Sequence, residues 1–284
     1  MTDTANQLRQ FLLAGRNADG GWAYFPGKGT RLEPTCWALM ALPETDPDVL
    51  RRWPLAGDLL RERAGGDPNF GFHAAALLAL VARGIEHEAG NARLVKGLEQ
   101  VKGIALGRSE INRQDNSLQG WSWIPNTFSW VEPTGWALLA LKKWARASGG
   151  AIDSDRVAVA ERLLADRACV QGGWNYGNSN MLGQDLRPYV PTTAVALLSL
   201  QDKRTDSVVT RSVDYLQGAA SSEHSSIALS LAILALRTFQ RDSPAADGAL
   251  LAQLPTTLEI KSHLAAAFAL CTLSPDHRDA AVTL

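Results

Sequence analysis

The chain has 284 residues, of which 46% are apolar and 20% charged, and a formal net charge of −1. That charge excludes a general attraction to nucleic acid or to an anionic membrane surface. Three cysteines, Cys36, Cys169 and Cys271, with no CxxC pair, exclude a disulfide framework and a cysteine zinc knuckle.

The N-terminal "MTDTANQLRQ" lacks the basic start and apolar core of a signal peptide. No apolar run reaches the roughly 18 residues of a membrane span. A cytoplasmic location and a single domain over residues 1–284 are therefore expected, with no membrane span.

Amphipathic stretches fall at about 4–15, 47–64, 88–102, 153–166, 205–218 and 244–254. Between them lie apolar segments that repeat. "EPTCWALMAL" at 33–42 returns as "EPTGWALLAL" at 132–141, and a thinner copy, "YVPTTAVALLSL", occupies 189–200. Each follows a Gly-Trp pair: Gly21-Trp22, Gly120-Trp121 and Gly173-Trp174. Thr35, Thr134 and Thr193 each precede a leucine by seven positions. The same spacing, with His in place of Thr, recurs at His73, His224 and His263.

This order predicts six hairpins, each a polar-faced helix followed by a buried one. No terminal unit has the polar outer face of a solenoid cap. The expected fold is therefore all-α: a closed α/α toroid with an inner ring of parallel helices. The inner walls read as Ala and Leu, which suits a narrow tunnel or a packed barrel.

With these motifs in hand, the chain resembles the terpenoid cyclase and protein prenyltransferase superfamily. "NADGGW" at 17–22, "QGW" at 119–121 and "QGGW" at 171–174 resemble the Gln-Trp motifs of squalene cyclases. "TGWALLAL" resembles their inner-helix signature, and the likeness spans about residues 5 to 275. It implies an isoprenoid or other apolar small molecule as ligand, and a second subunit or domain as a protein partner.

Cyclases of this kind protonate an alkene or epoxide with the middle acid of Asp-x-Asp-Asp-Thr. Laid on the second copy, that motif falls on Trp130, Val131, Glu132, Pro133 and Thr134, so Glu132 takes the acid's place. Glu33 takes it in the first copy, and both outer aspartates are missing. The Asp-x-Cys pattern of the prenyltransferase zinc site and the Asp-Asp-x-x-Asp magnesium motif are also missing, so neither a metal nor a cofactor is expected.

Glu33 and Glu132 are the candidate catalytic acids. Their bland reading is a helix start, where proline and an acid are both favoured. Tyr24, Trp123, Phe128, Trp130, Tyr176 and Tyr189 lie in the loops entering the inner helices and are candidate substrate-binding aromatics, able to stabilise a cation or hold an apolar ligand. Trp22, Trp121 and Trp174 read instead as staples between hairpins, and Trp37 and Trp136 as packing.

His73, His224 and His263 are candidates at the mouth, with helix-end solvation as the alternative. Arg16, Lys28, Arg31, Arg113 and Arg187 lie in or near the same loops and suit a diphosphate head group or plain surface charge. Three functions fit: an isoprenoid-handling enzyme, a non-catalytic toroid that binds a lipid or a partner protein, and a carbohydrate-active barrel using the two glutamates as an acid/base pair.

Overall fold

The apolar phrases become helices because they are rich in Ala and Leu, two of the best helix formers. The computed structural model describes residues 3–57, 68–274 and 281–284. Among these, the buried helices are α2 (Leu32–Ala41), α4 (Phe70–Ala82), α6 (Val131–Ser148), α8 (Val190–Ser199), α10 (Ser226–Thr238) and α12 (His263–Leu273). The polar-faced ones are α1 (Asp3–Ala14), α3 (Asp48–Leu50) continued by a π-helical turn, α5 (Gly90–Gln100), α7 (Ser154–Asp166), α9 (Ser207–Ala219) and α11 (Pro244–Ile260). The second amphipathic stretch runs past residue 57, so its end lies outside the described residues. Among the described residues the named strands form one two-residue ladder, β1 (Asn180–Met181) with β2 (Gln184–Asp185). The described chain is thus mostly helical, with few strands.

The buried helices pack in sequence order: α2 on α4, α4 on α6, α6 on α8, α8 on α10 and α10 on α12, while α12 also packs on α2. Their small residues make this approach possible. Ala38, Ala76, Ala137, Ala196 and Ala266, at the third step after the Thr or His, are fully buried. At one of the two places where the repeated phrase differs, Gly135 replaces Cys36. A Cβ on Gly135 would lie 2.8 Å from Cγ1 of Val195, so glycine is what lets α6 approach α8 here.

The Gly-Trp loops have one construction used three times. The indole N–H of Trp22 donates to the carbonyl of Leu12 at 2.7 Å, that of Trp121 to Leu98 at 2.8 Å, and that of Trp174 to Leu164 at 2.6 Å. Each carbonyl belongs to the last turn of a polar-faced helix, where the regular i to i+4 donors run out. The backbone N–H of the same three tryptophans donates to the hydroxyls of Thr35, Thr134 and Thr193, each at 2.9 Å. One tryptophan thus ties the end of a polar-faced helix to the start of the next buried one.

The glycine before it is required by that closeness. A Cβ on Gly21, Gly120 or Gly173 would lie 2.9, 2.4 or 2.8 Å from the same threonine hydroxyl. Arginine covers two of the indoles, with Arg16 at 5.5 Å from the Trp22 ring centre and Arg156 at 3.7 Å from that of Trp121.

The His copies are built differently. α4, α10 and α12 start at side-chain caps, Asn69, Ser225 and Ser262, which accept from the first free N–H groups. α2, α6 and α8 have no side-chain cap and rely on the threonine one turn in. Consequently the histidines do not share one position. His73 is the fourth residue of α4, His263 the first of α12, and His224 precedes the cap of α10 and is exposed.

Candidate functional site

Within "EPTxW" the acid and the tryptophan are four residues apart, so they share one helix face. Glu33 and Trp37 therefore project together from α2, as Glu132 and Trp136 do from α6. α2 and α6 are separated by α4 in the packing order, yet Trp37 and Trp136 meet edge to face with ring centres 5.5 Å apart. Phe268 of α12 lies 3.9 Å from Trp37. Three aromatic rings from three helices thus fill the space between the inner helices, all of them buried. The expectation of Ala and Leu walls is corrected at this level. Trp37 and Trp136 do pack, but against each other and beneath the acids.

Above these rings stand the two glutamates, both partly buried. The hydroxyl of Tyr24 donates to Oε2 of Glu33 at 2.6 Å. Burial pushes the Glu33 carboxyl up to about 7, the Tyr24 hydrogen bond works against that rise, and the nearby Glu132 charge adds to it. Burial also raises Glu132, opposed by a hydrogen bond from the Trp136 indole. The Tyr24 hydroxyl is itself pushed far up, by burial and by Glu33, so it remains a donor. The pair is thus two carboxyls in a poorly solvated place, one of them poised to hold or release a proton near neutrality.

The other candidates fall into separate groups. Phe128 and Trp130 stack at 4.7 Å and line a cavity that Tyr24 does not share. Tyr176 and Tyr189 pair at 5.4 Å and are exposed. Trp123 lies over Gly71, where a Cβ would come within 2.4 Å of the indole, and its carbonyl accepts from the N–H of Phe70.

His73 packs edge-on against Phe70 and lines a groove with Arg93 and Leu94 of α5. His263 is fully buried, its Nδ1 2.8 Å from the carbonyl of Ala23. The histidines therefore do not converge, and among the described residues no cluster of three His, Cys, Asp or Glu could hold a metal ion. Arg16 donates to the carbonyls of Gly20 and Asp46, a loop-holding role. Lys28, Arg31, Arg113 and Arg187 are exposed.

Sequence reasoning named Tyr24, Glu33 and Glu132 but not their contact, and it did not pick out Phe268. The usable signal was the i to i+4 spacing of Glu and Trp, repeated in both phrases. No protein-family model matches the chain, and no curated protein matches it. No helix among the described residues is long and apolar enough to cross a membrane.

Proposed function

We propose that the chain is a closed α/α toroid of the terpenoid cyclase and prenyltransferase type, and that it handles an isoprenoid or similar apolar substrate at the mouth of the ring. The packing of α12 on α2 supports closure. So does the bond from the N–H of His263 to the carbonyl of Tyr24, 2.9 Å, which joins the last hairpin to the first loop. The N–H of Phe70 meets Trp123 and that of Val131 meets Tyr176 in the same way between neighbouring hairpins.

The observation that carries the chemistry is the Tyr24–Glu33 hydrogen bond beside Glu132, over an aromatic floor. Glu33 is assigned as the general acid. A carboxyl with its pKa near 7 is protonated often enough at neutral pH to donate. The proton goes to a substrate oxygen, of an epoxide or an allylic diphosphate, as the carbon–oxygen bond breaks and its electrons leave with the oxygen. The resulting carboxylate is held by the Tyr24 hydroxyl, and the developing carbocation faces Trp37 and Trp136 at about 0.5–2 kcal/mol per ring. Burial keeps Glu33 protonated, and the Glu132 charge adds to it.

Because Trp37, Trp136 and Phe268 fill the space beneath, the substrate sits above them rather than deep in the ring. That filling also favours a second reading, a toroid that binds an apolar ligand or a partner protein without turnover. Incubation with prenyl diphosphates and with squalene and its epoxide, wild type against Glu33→Gln and Glu132→Gln, separates the two. Product from wild type and none from Glu33→Gln is expected. No product from wild type with any of these substrates sinks the enzyme reading and leaves the binding one.

A further inference from the structure

The connection between α5 and α6, residues 101–130, is the longest among the described residues, and long loops in compact domains usually carry function. It is ordered by backbone bonds: Ile104 N–H to Thr127, Leu106 N–H to Asn116, and Leu182 N–H to Ile111. It encloses a cavity of about 180 Å³. At ~30 Å³ per water this holds about six waters, well short of a drug-sized pocket. A single six-membered ring is the size that fits.

The lining is amide and aromatic. Asn112, Gln114 and Asn178 face the stacked rings of Phe128 and Trp130. Among the described residues no carboxylate lines the cavity. The one cation among them, Arg167, is paired with Asp166 and donates to the carbonyl of Asp115 at 3.1 Å. A cationic ligand would find no counter-charge there, and an anionic one only an arginine already engaged.

The amide orientations follow from the network. Asn116 Nδ2 donates to the carbonyl of Gly107 at 3.3 Å and to Asn112 Oδ1 at 3.2 Å. Asn116 Oδ1 must then accept, so Gln114 presents Nε2 to it at 3.1 Å and to Asn178 Oδ1 at 2.8 Å. This leaves Gln114 Oε1 buried with no partner. That oxygen is closed off from the cavity, and Gln114 acts through Nε2, which fixes the amides of Asn116 and Asn178. Asn112 and Asn178 each accept through Oδ1 here, leaving their NH₂ groups to donate. The site therefore asks for an uncharged ring with acceptors along its edge and an apolar face for Phe128 and Trp130.

We propose that this cavity binds a single neutral pyranose, free or as the end of a glycan. A row of hydroxyl oxygens accepts from the NH₂ groups of Asn112 and Asn178, while the ring's C–H face lies on the aromatic pair. The proposal is independent of the Glu33 reading and uses different residues. The test titrates the full chain with glucose, galactose, mannose and N-acetylglucosamine, with glucuronate as a charged control, reading tryptophan fluorescence and saturation-transfer NMR. At least one neutral sugar should bind saturably, glucuronate more weakly. Gln114→Leu, checked for folding by circular dichroism, should weaken binding about tenfold by releasing the Asn178 amide it holds, on the order of one hydrogen bond. Trp130→Phe, which keeps a ring, should weaken it less. Absence of binding by all four neutral sugars, tighter binding of glucuronate, or unchanged binding in a folded Gln114→Leu would each overturn the proposal.

Discussion

Trp121 and Thr134 hold each other from both sides: the tryptophan N–H donates to the threonine hydroxyl at 2.9 Å, and that hydroxyl reaches the tryptophan carbonyl at 3.4 Å. Both residues are fully buried. Thr134→Val keeps the shape and removes the hydroxyl, leaving a buried N–H with no acceptor. A loss of about 1–3 kcal/mol is expected in urea unfolding, with Thr134→Ser losing much less.

Two glycines should respond to alanine with opposite signs. Gly120→Ala drives a Cβ to within 2.4 Å of the Thr134 hydroxyl and should destabilise by more than 1 kcal/mol, at least about the cost of overpacking. Gly97 is exposed in α5 and has open space around it, so Gly97→Ala should stabilise by about 0.5–1 kcal/mol through helix propensity. Thermal melts of the two variants check this.

His263 predicts an acid limit to stability. Its Nδ1 meets the Ala23 carbonyl and so carries the proton, while Nε2 is buried with no partner. Burial lowers its pKa below the usual 6.5. The unfolded chain therefore takes up a proton first, and stability falls as pH drops below about 6.5 towards the folded value. His263→Asn, which retains a donor for Ala23, should flatten that fall in denaturation measured from pH 7 to 5.

Glu33 works in the other direction. Its folded pKa of about 7 lies above the unfolded value of 4.5, so its contribution is fully present below pH 4.5 and is lost as pH rises through 7. Glu33→Gln should be more stable than wild type at pH 8, by on the order of 3 kcal/mol, and by less than about 1 kcal/mol at pH 5. If the site turns over, its rate should also fall as pH rises through 7.

The helices were legible because one phrase repeats. "PTxWALxAL" predicts an inner helix twice, and α2 and α6 stand there. The staple role of Trp22, Trp121 and Trp174 was legible from their fixed distance to proline. The contents of the mouth were not, because they depend on contacts between helices far apart in the chain. Phe268 reaches Trp37 only once α12 lies beside α2. The cavity amides share the reason, since Gln114 and Asn178 are 64 residues apart and belong to different loops. The histidines misled through spacing alone. Seven residues before a leucine places a residue near a helix start without fixing which way it points, so His224 is in solvent and His263 is in the core.

The contact between His263 and Ala23 spans 240 residues. On a ribosome adding ~5–20 residues per second, the loop at Ala23 waits roughly 10–50 s for that partner. During that interval the side of α2 that α12 will cover has no native cover. The seam that completes the molecule is thus also its window of risk, and a chaperone or a pause in translation would act there first.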